Sequence, residues 1–495
     1  MNHLKLSYAA VSTLLSGAFV ASSIVVSSAA FAQTPVAPPD PAAPPAPVAG
    51  DPSPPAPAPD PGPPAALAPA PEPPKPAAPT PVPVVSKWKA TLYGFAEFNI
   101  MHDSTQSFPE SVGATLVARK GSYAYEHSRT QFTARNSRFG IRVNAPDYGE
   151  VKTTAVLELD FFGLQPPVSS ASTVSNGTFR MRQANIKLET PYVDILAGQT
   201  YHVFGTQPFF SPMSVSFFPV MNQVFGRQPQ LRISKTIKTE PVNAVIDVAA
   251  VKPPQINSAV PDFQGSLRLG LNGWKGVHTL GASGYTLDPL SVAVSGIVRK
   301  LKVQELSAAP ADYNSKTGYG ISAGAMIPVI PATSLDDMAN ALTLTGTYFS
   351  GTGIADQLGV ANGVPYPMVA NAAGMMVPFA PDIDPGIVTY DINGELQTIN
   401  WKGFMVGAQY YLPPSGHMQL AANLTQGEAD QLTADKGWGA FTTFFRKSRY
   451  IDVNFFIDIV ASFRVGLSYQ NSQQTYADNQ KVTNNRYEAA FYCVF

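Results

Sequence analysis

The sequence runs to 495 residues with a formal net charge of −1, 14% charged side chains and 45% hydrophobic ones. This is too apolar for a chain without a core, offers no basic surplus to nucleic acid, and lacks the runs of about 18 or more apolar residues that mark helical membrane proteins. A single cysteine, Cys493, excludes an internal disulfide framework.

Met1 to Ala32 opens with His3 and Lys5, continues through apolar and small residues from Ala9 to Val26, and ends on Ala30-Phe31-Ala32 before Gln33. Those parts predict a signal peptide cut at an A-x-A site, with the mature chain starting near Gln33 in the periplasm. From Gln33 to about Val85 proline and alanine dominate. Proline fixes φ and supplies no backbone donor, so a disordered Pro/Ala-rich segment in polyproline II is expected rather than helix or sheet. About 50 residues at about 3.1 Å each reach on the order of 150 Å when fully stiff. The expected division is a signal over 1–32, a periplasmic linker over 33–87 and a folded domain over 88–495.

After Trp88 the pattern turns to short alternating runs. In NSRFGIRVNA, Asn136 to Ala145, one phase holds Phe139, Ile141, Val143 and Ala145, and the other Arg138, Gly140, Arg142 and Asn144. Successive side chains of a strand point to opposite faces, and a basic group on lipid near the bilayer midplane costs about 2 to 4 kcal/mol. The arginine phase is therefore the interior of a barrel. The same parity sets Leu157, Leu159 and Phe161 outward against Glu158 and Asp160, Leu267 and Leu269 against Ser266 and Arg268, Val453 and Phe455 against Asp452 and Asn454, and Val465 and Leu467 against Arg464 and Ser468. Arg180 and Arg182 break it by sharing a phase with Ala184 and Ile186, which predicts a bulge or strand start near Gln183 that turns both inward.

Short connections at residues 146–149, 190–191, 240–241 and 413–416 alternate with long ones near 101–129, 163–178, 201–229, 303–317, 351–400 and 427–449. Short periplasmic turns and long outer loops characterise transmembrane antiparallel β-barrels. With both ends in the periplasm the strand count is even, and the parsing yields 16. Residues 273–290 fit a long turn, a strand extension or an extra hairpin, the last of which makes 18. Either count encloses an aqueous lumen. The chain closes on RYEAAFYCVF, Arg486 to Phe495, whose alternate residues Tyr487, Ala489, Phe491, Cys493 and Phe495 face lipid. This ending resembles the C-terminal signal by which outer-membrane barrels reach their assembly machinery, which makes Tyr487, Phe491 and Phe495 the candidate signal.

NSRFGIRV at Asn136 to Val143, FRMRQANI at Phe179 to Ile186, LAGQT at Leu196 to Thr200, RQPQLR at Arg227 to Arg232 and RVGLSYQ at Arg464 to Gln470 resemble the DcaP-like trimeric porins. The resemblance runs from about Tyr93 to Phe495. It implies a 16-stranded homotrimer in the outer membrane that conducts small hydrophilic solutes, with a preference for anions bearing carboxylates. The family's N-terminal coiled coil is replaced here by the proline segment, so the implied trimer rests on barrel contacts.

The loop Tyr201 to Pro229 carries Phe209, Phe210, Phe217 and Phe218, which are costly to expose, and is expected to fold into the lumen as the constriction. Arg138, Arg142, Arg180, Arg182, Arg227 and Arg232 are placed on the pore wall with Glu158 and Asp160. A guanidinium stays charged and pairs bidentately with carboxylates, so a ring of them attracts anions. The competing role for these arginines is pairing with Glu97, Glu158 and Asp160. A barrel hydrolase needs a base beside a nucleophile or water. His102, His127, His202, His278 and His417 scatter over loops and turns, with no H-x-x-x-H spacing, so the chain reads as a non-enzyme without metal or cofactor. A barrel serving mainly as an anchor to the cell wall is the other alternative.

Overall fold

A computed structural model describes residues 87–111, 116–163, 177–217, 219–255, 258, 260–282, 284–359, 368–370, 374–379, 382–383, 386–391, 393–429, 431 and 445–495. The expected signal and most of the linker lie outside the described residues, and so does Phe218. The wall begins with β1 (Lys89–Asp103), followed by β2 (Arg129–Thr133) and β3 (Arg138–Asn144), which together make one interrupted stave against β1. It continues through β4 (Lys152–Asp160), β5 (Arg180–Glu189), β6 (Asp194–Tyr201), β7 (Arg227–Lys238) and β8 (Val242–Val251). The longer β9 (Asp262–Thr279), β10 (Tyr285–Gln304) and β11 (Tyr313–Ile330) follow, then β12 (Leu342–Thr352). Two small hairpins, β13 (Met368–Ala370) with β14 (Met376–Pro378) and β15 (Val388–Tyr390) with β16 (Leu396–Thr398), stand apart from the wall sheet. The wall resumes with β17 (Asn400–Leu412), β18 (Met418–Glu428), β19 (Phe445–Val460), β20 (Phe463–Tyr476) and β21 (Lys481–Val494).

Each wall strand pairs antiparallel with its neighbours, and β21 returns to β1, so sixteen staves close on themselves. Closure runs to the last residue: Gly94 N–H donates to Phe495 O at 2.9 Å, and Phe495 N–H to Gly94 O at 3.1 Å. A side chain at Gly94 would put its Cβ 2.1 Å from the Arg138 carbonyl oxygen, so only glycine lets β1, β3 and Phe495 meet there. No helix among the described residues is long and apolar enough to cross a membrane.

The wall is inverted relative to a soluble barrel. Val453, Leu467 and Tyr487 are 49%, 48% and 59% exposed, whereas Asp452, Asn454 and Arg486 on the opposite face are at most 1% exposed. Exposed apolar outside and buried polar inside is the arrangement lipid imposes, because a closed barrel satisfies all its backbone groups strand to strand.

Residues 273–290 add no wall strands. They lengthen β9 and β10 into a hairpin that leaves the wall at a register shift, where Pro289 pairs with Lys275 but Leu290 pairs with Leu271. The expected long connection at 303–317 shrinks to residues 305–312, since β10 and β11 continue beyond it on both sides.

Candidate functional site

The site grows from β3, β4 and β5. Glu158 pairs with Gln183, but Leu159 pairs with Met181, which leaves Arg182 as an extra residue. This bulge resolves the parity conflict: Met181 is 47% exposed on the outer face while Arg182 is buried. Arg182 donates to Glu158 at 2.7 Å and to Asp160 at 2.8 Å, and Arg180 donates to Asp160 at 2.9 and 2.5 Å. The pairing role holds for these two arginines, whose charges are largely neutralised.

Arg138 is differently placed. Its nearest carboxylate is Glu158 at 3.8 Å, it lies over the Phe95 ring at 4.9 Å, and its Nε has no hydrogen-bond partner. Arg227 makes no ion pair among the described residues; it lies over the rings of Tyr201 and Phe225 at 5.9 and 5.7 Å, and its Nη1 is unpartnered. Four guanidinium groups, on Arg138, Arg180, Arg182 and Arg227, thus face three carboxylates, those of Glu158, Asp160 and Glu97. Arg232 hydrogen-bonds Gln230 and the Tyr201 carbonyl, further along β7. Arg142 does not join the cluster, because it is exposed over the Tyr93 ring at 5.6 Å.

Residues 202–217 and 219–226 run inside the barrel and reach the opposite wall. The near end is held where Gln264 Oε1 accepts from the Val203 and Phe204 N–H groups, each at 2.9 Å. At the far end Ser214 donates to Asp452, Val215 N–H to Asn454, and Asn423 to the Met213 carbonyl. Phe210 is buried between β10 and β11 with Ala293 and Met326, and Phe217 meets Phe162 edge-on at 5.3 Å. Phe209 lies beneath Arg268, whose guanidinium carbon is 4.1 Å from the ring centre.

Between this loop and the arginine wall lies a chamber of about 140 Å³, lined among others by Glu97, Arg138, Arg182, Tyr201, Ser211, Ser214 and Ala282. Glu97 is held by Asn99 at 2.8 Å and Asn136 at 2.6 Å rather than by a base. Sequence reasoning missed Phe95 and Tyr201 as supports for the arginines. The strict alternation of Phe95, Glu97 and Asn99 carried the signal for the first, since it puts the aromatic on the charged phase. His102, His127, His202, His278 and His417 occupy five separate segments of the chain, and His102 and His278 lie within β1 and β9 rather than in loops or turns.

A closed sixteen-stranded barrel, apolar outside and crossed within by its own loop, has the fold of outer-membrane porins. In particular it is similar to the outer membrane channel DcaP of Acinetobacter baumannii, at 18% identity and a TM-score of 0.58 over 82% of this chain and 97% of that one. A looser likeness, with 13% identity and a TM-score of 0.45, covers 83% of this chain and all of an anion-selective porin from Comamonas acidovorans. No protein-family model and no curated protein matches the sequence.

Proposed function

We propose that the chain is an outer-membrane porin: a water-filled channel for passive diffusion of small hydrophilic solutes that favours anions such as carboxylates. The observation that carries the selectivity is the excess of guanidinium over carboxylate on one side of the lumen, with Arg138 and Arg227 lacking close acidic partners. Charges in a confined, low-dielectric opening act on every passing ion. The likeness to DcaP in fold supports the channel reading. Planar-bilayer recording with a salt gradient tests it, since the sign of the reversal potential reports the preferred ion; a cation preference removes the role of the arginines and leaves the channel.

The same reading takes residues 1–32 as a cleaved signal, 33–87 as a periplasmic tether, and the protein as a homotrimer held by barrel contacts. Tyr487 and Phe491, exposed on β21, and Phe495, exposed just after it, are the proposed signal to the barrel-assembly machinery. N-terminal sequencing of the mature protein and crosslinking in native membranes check the first and third of these assignments.

A further inference from the structure

The β9–β10 hairpin beyond the register shift is not used by the wall. Asn272 to Trp274 have no partners in β10, and Pro289, which lacks a backbone donor, stands at the bend. From there the hairpin turns across the inner faces of other strands. Trp274 Nε1 donates to the Pro328 carbonyl at 2.6 Å, and a Cβ at Gly276 would lie 2.5 Å from Pro328 Cβ, so this leg packs directly on β11. Thr343 of β12 donates to the Val277 carbonyl at 2.5 Å. Val277 is fully buried with Ala332, Met338, Ala341 and Tyr411.

The tip then reaches the far wall. Gln409 of β17 accepts from the Thr279 N–H at 3.0 Å and donates to its carbonyl at 3.1 Å. Gln419 of β18 donates to the Tyr285 hydroxyl, and Arg464 of β20, paired with Asp458, donates to the Gly281 carbonyl. Gly281 and Gly284 take φ of 53° and 76°, the left-handed values that a tight turn needs. Ala282 packs with Met213 and Val215 of the lumenal loop and with Phe95 of β1. Leu280, Gly281 and Ala282 line the arginine chamber.

Loop 202–226 enters from the end with long connections and this hairpin from the end with short turns. We propose that residues 274–282 and 284–289 are a second selectivity element: Leu280, Gly281 and Ala282 at the hairpin tip are the floor of the arginine chamber and set the upper size of the solute that passes. The proposal rests on the porin reading and deepens it. The chamber is small, about 140 Å³, and its floor keeps solute against Arg138.

The structure itself supplies the test variant. Removing Trp274 to Pro289 joins Asn272-Gly273 to Leu290, and Leu271 already pairs with Leu290. Asn-Gly is a favoured two-residue hairpin turn, so the wall is closed by a regular connection. Full-length wild type and this deletion are compared in planar bilayers for single-channel conductance, and in liposome swelling with uncharged sugars of rising size. Gel mobility with and without heating reports the folded barrel. The expected result is a severalfold rise in conductance and a larger sugar cut-off. Arg464→Leu combined with Gln409→Ala, which removes the side-chain anchors of Gly281 and Thr279 without touching the strand ladders, is expected to give a flickering current with upward steps, and it serves where the deletion does not fold. A conducting wild type whose conductance and cut-off are matched by the folded variants overturns the hairpin's role alone. A wild type that does not conduct overturns the porin reading and this one together.

Discussion

Replacing Arg138 and Arg182 one at a time by glutamine separates a charge aimed at solute from a charge that holds the wall. Each variant loses one positive charge, but the partners differ: Arg138 has a single carboxylate, 3.8 Å away, while Arg182 has two within 2.8 Å. A solute anion about 5 Å from Arg138 gains about 1 kcal/mol at the dielectric of water and about 3 kcal/mol at an effective constant near 20. Arg138→Gln therefore lowers the anion-to-cation permeability ratio by at least about fivefold and leaves stability within about 1 kcal/mol. Arg182→Gln removes two charge-assisted hydrogen bonds worth about 1.5 to 3 kcal/mol each; Arg180 remains on Asp160 and Arg138 stays near Glu158, so the net loss is about 3 kcal/mol. Reversal potentials in a salt gradient measure the first effect, and urea unfolding of detergent-folded protein measures the second. An unchanged reversal potential in folded Arg138→Gln refutes the reasoning, because its charge would then not reach the solute path.

Gly94→Ala drives a Cβ into the Arg138 carbonyl at 2.1 Å, at a cost of about 3 kcal/mol or more, and is expected to leave the protein unfolded on unheated gels. Gln264→Ala leaves the Val203 and Phe204 N–H groups unpaired in the interior, at about 1 to 3 kcal/mol each; the wall is expected to persist while open-channel noise rises and proteolysis cuts loop 202–226 faster. Deleting Phe495 removes the two final hydrogen bonds to Gly94 and an exposed terminal aromatic. It is expected to lower the amount of protein reaching the outer membrane in cells while protein refolded in detergent still conducts, and equal levels in cells would contradict a signal at this residue.

The wall was legible because lipid and water enforce parity on every strand: Leu467 and Tyr469 could only face one medium if Arg464 and Ser468 faced the other. Even the exception was legible, since Arg180 and Arg182 beside Ala184 and Ile186 demanded the extra residue found between Met181 and Gln183. The inside of the barrel was not. Residues 273–290 extend β9 and β10 as a hairpin; their departure from the wall depends on Gly276 meeting Pro328 and on Gln409 and Arg464 waiting across the lumen, contacts between positions far apart in sequence. Likewise, parity with one bulge put Arg138, Arg180 and Arg182 inside but could not say that Glu158 and Asp160 already occupy Arg180 and Arg182.

The lumenal loop is irregular where it crosses, and the hairpin has a turn and outer edges beyond its own ladder, so their backbone groups need further partners. The wall provides them from its inward side chains. Gln264 and Asn454 serve N–H groups of loop 202–226, Asn423 and Thr425 serve its carbonyls, and Gln409 and Arg464 serve the hairpin. Much of the polar lining that reads as pore surface is thereby spent on holding protein rather than solute. Arg138 and Arg227 are left with unpartnered nitrogens over aromatic rings, on staves that neither insert fastens to through these groups. Selectivity is therefore expected to respond to these two positions far more than to the average inward residue, and substitution of the anchoring glutamines is expected to change how steadily current flows before it changes which ion carries it.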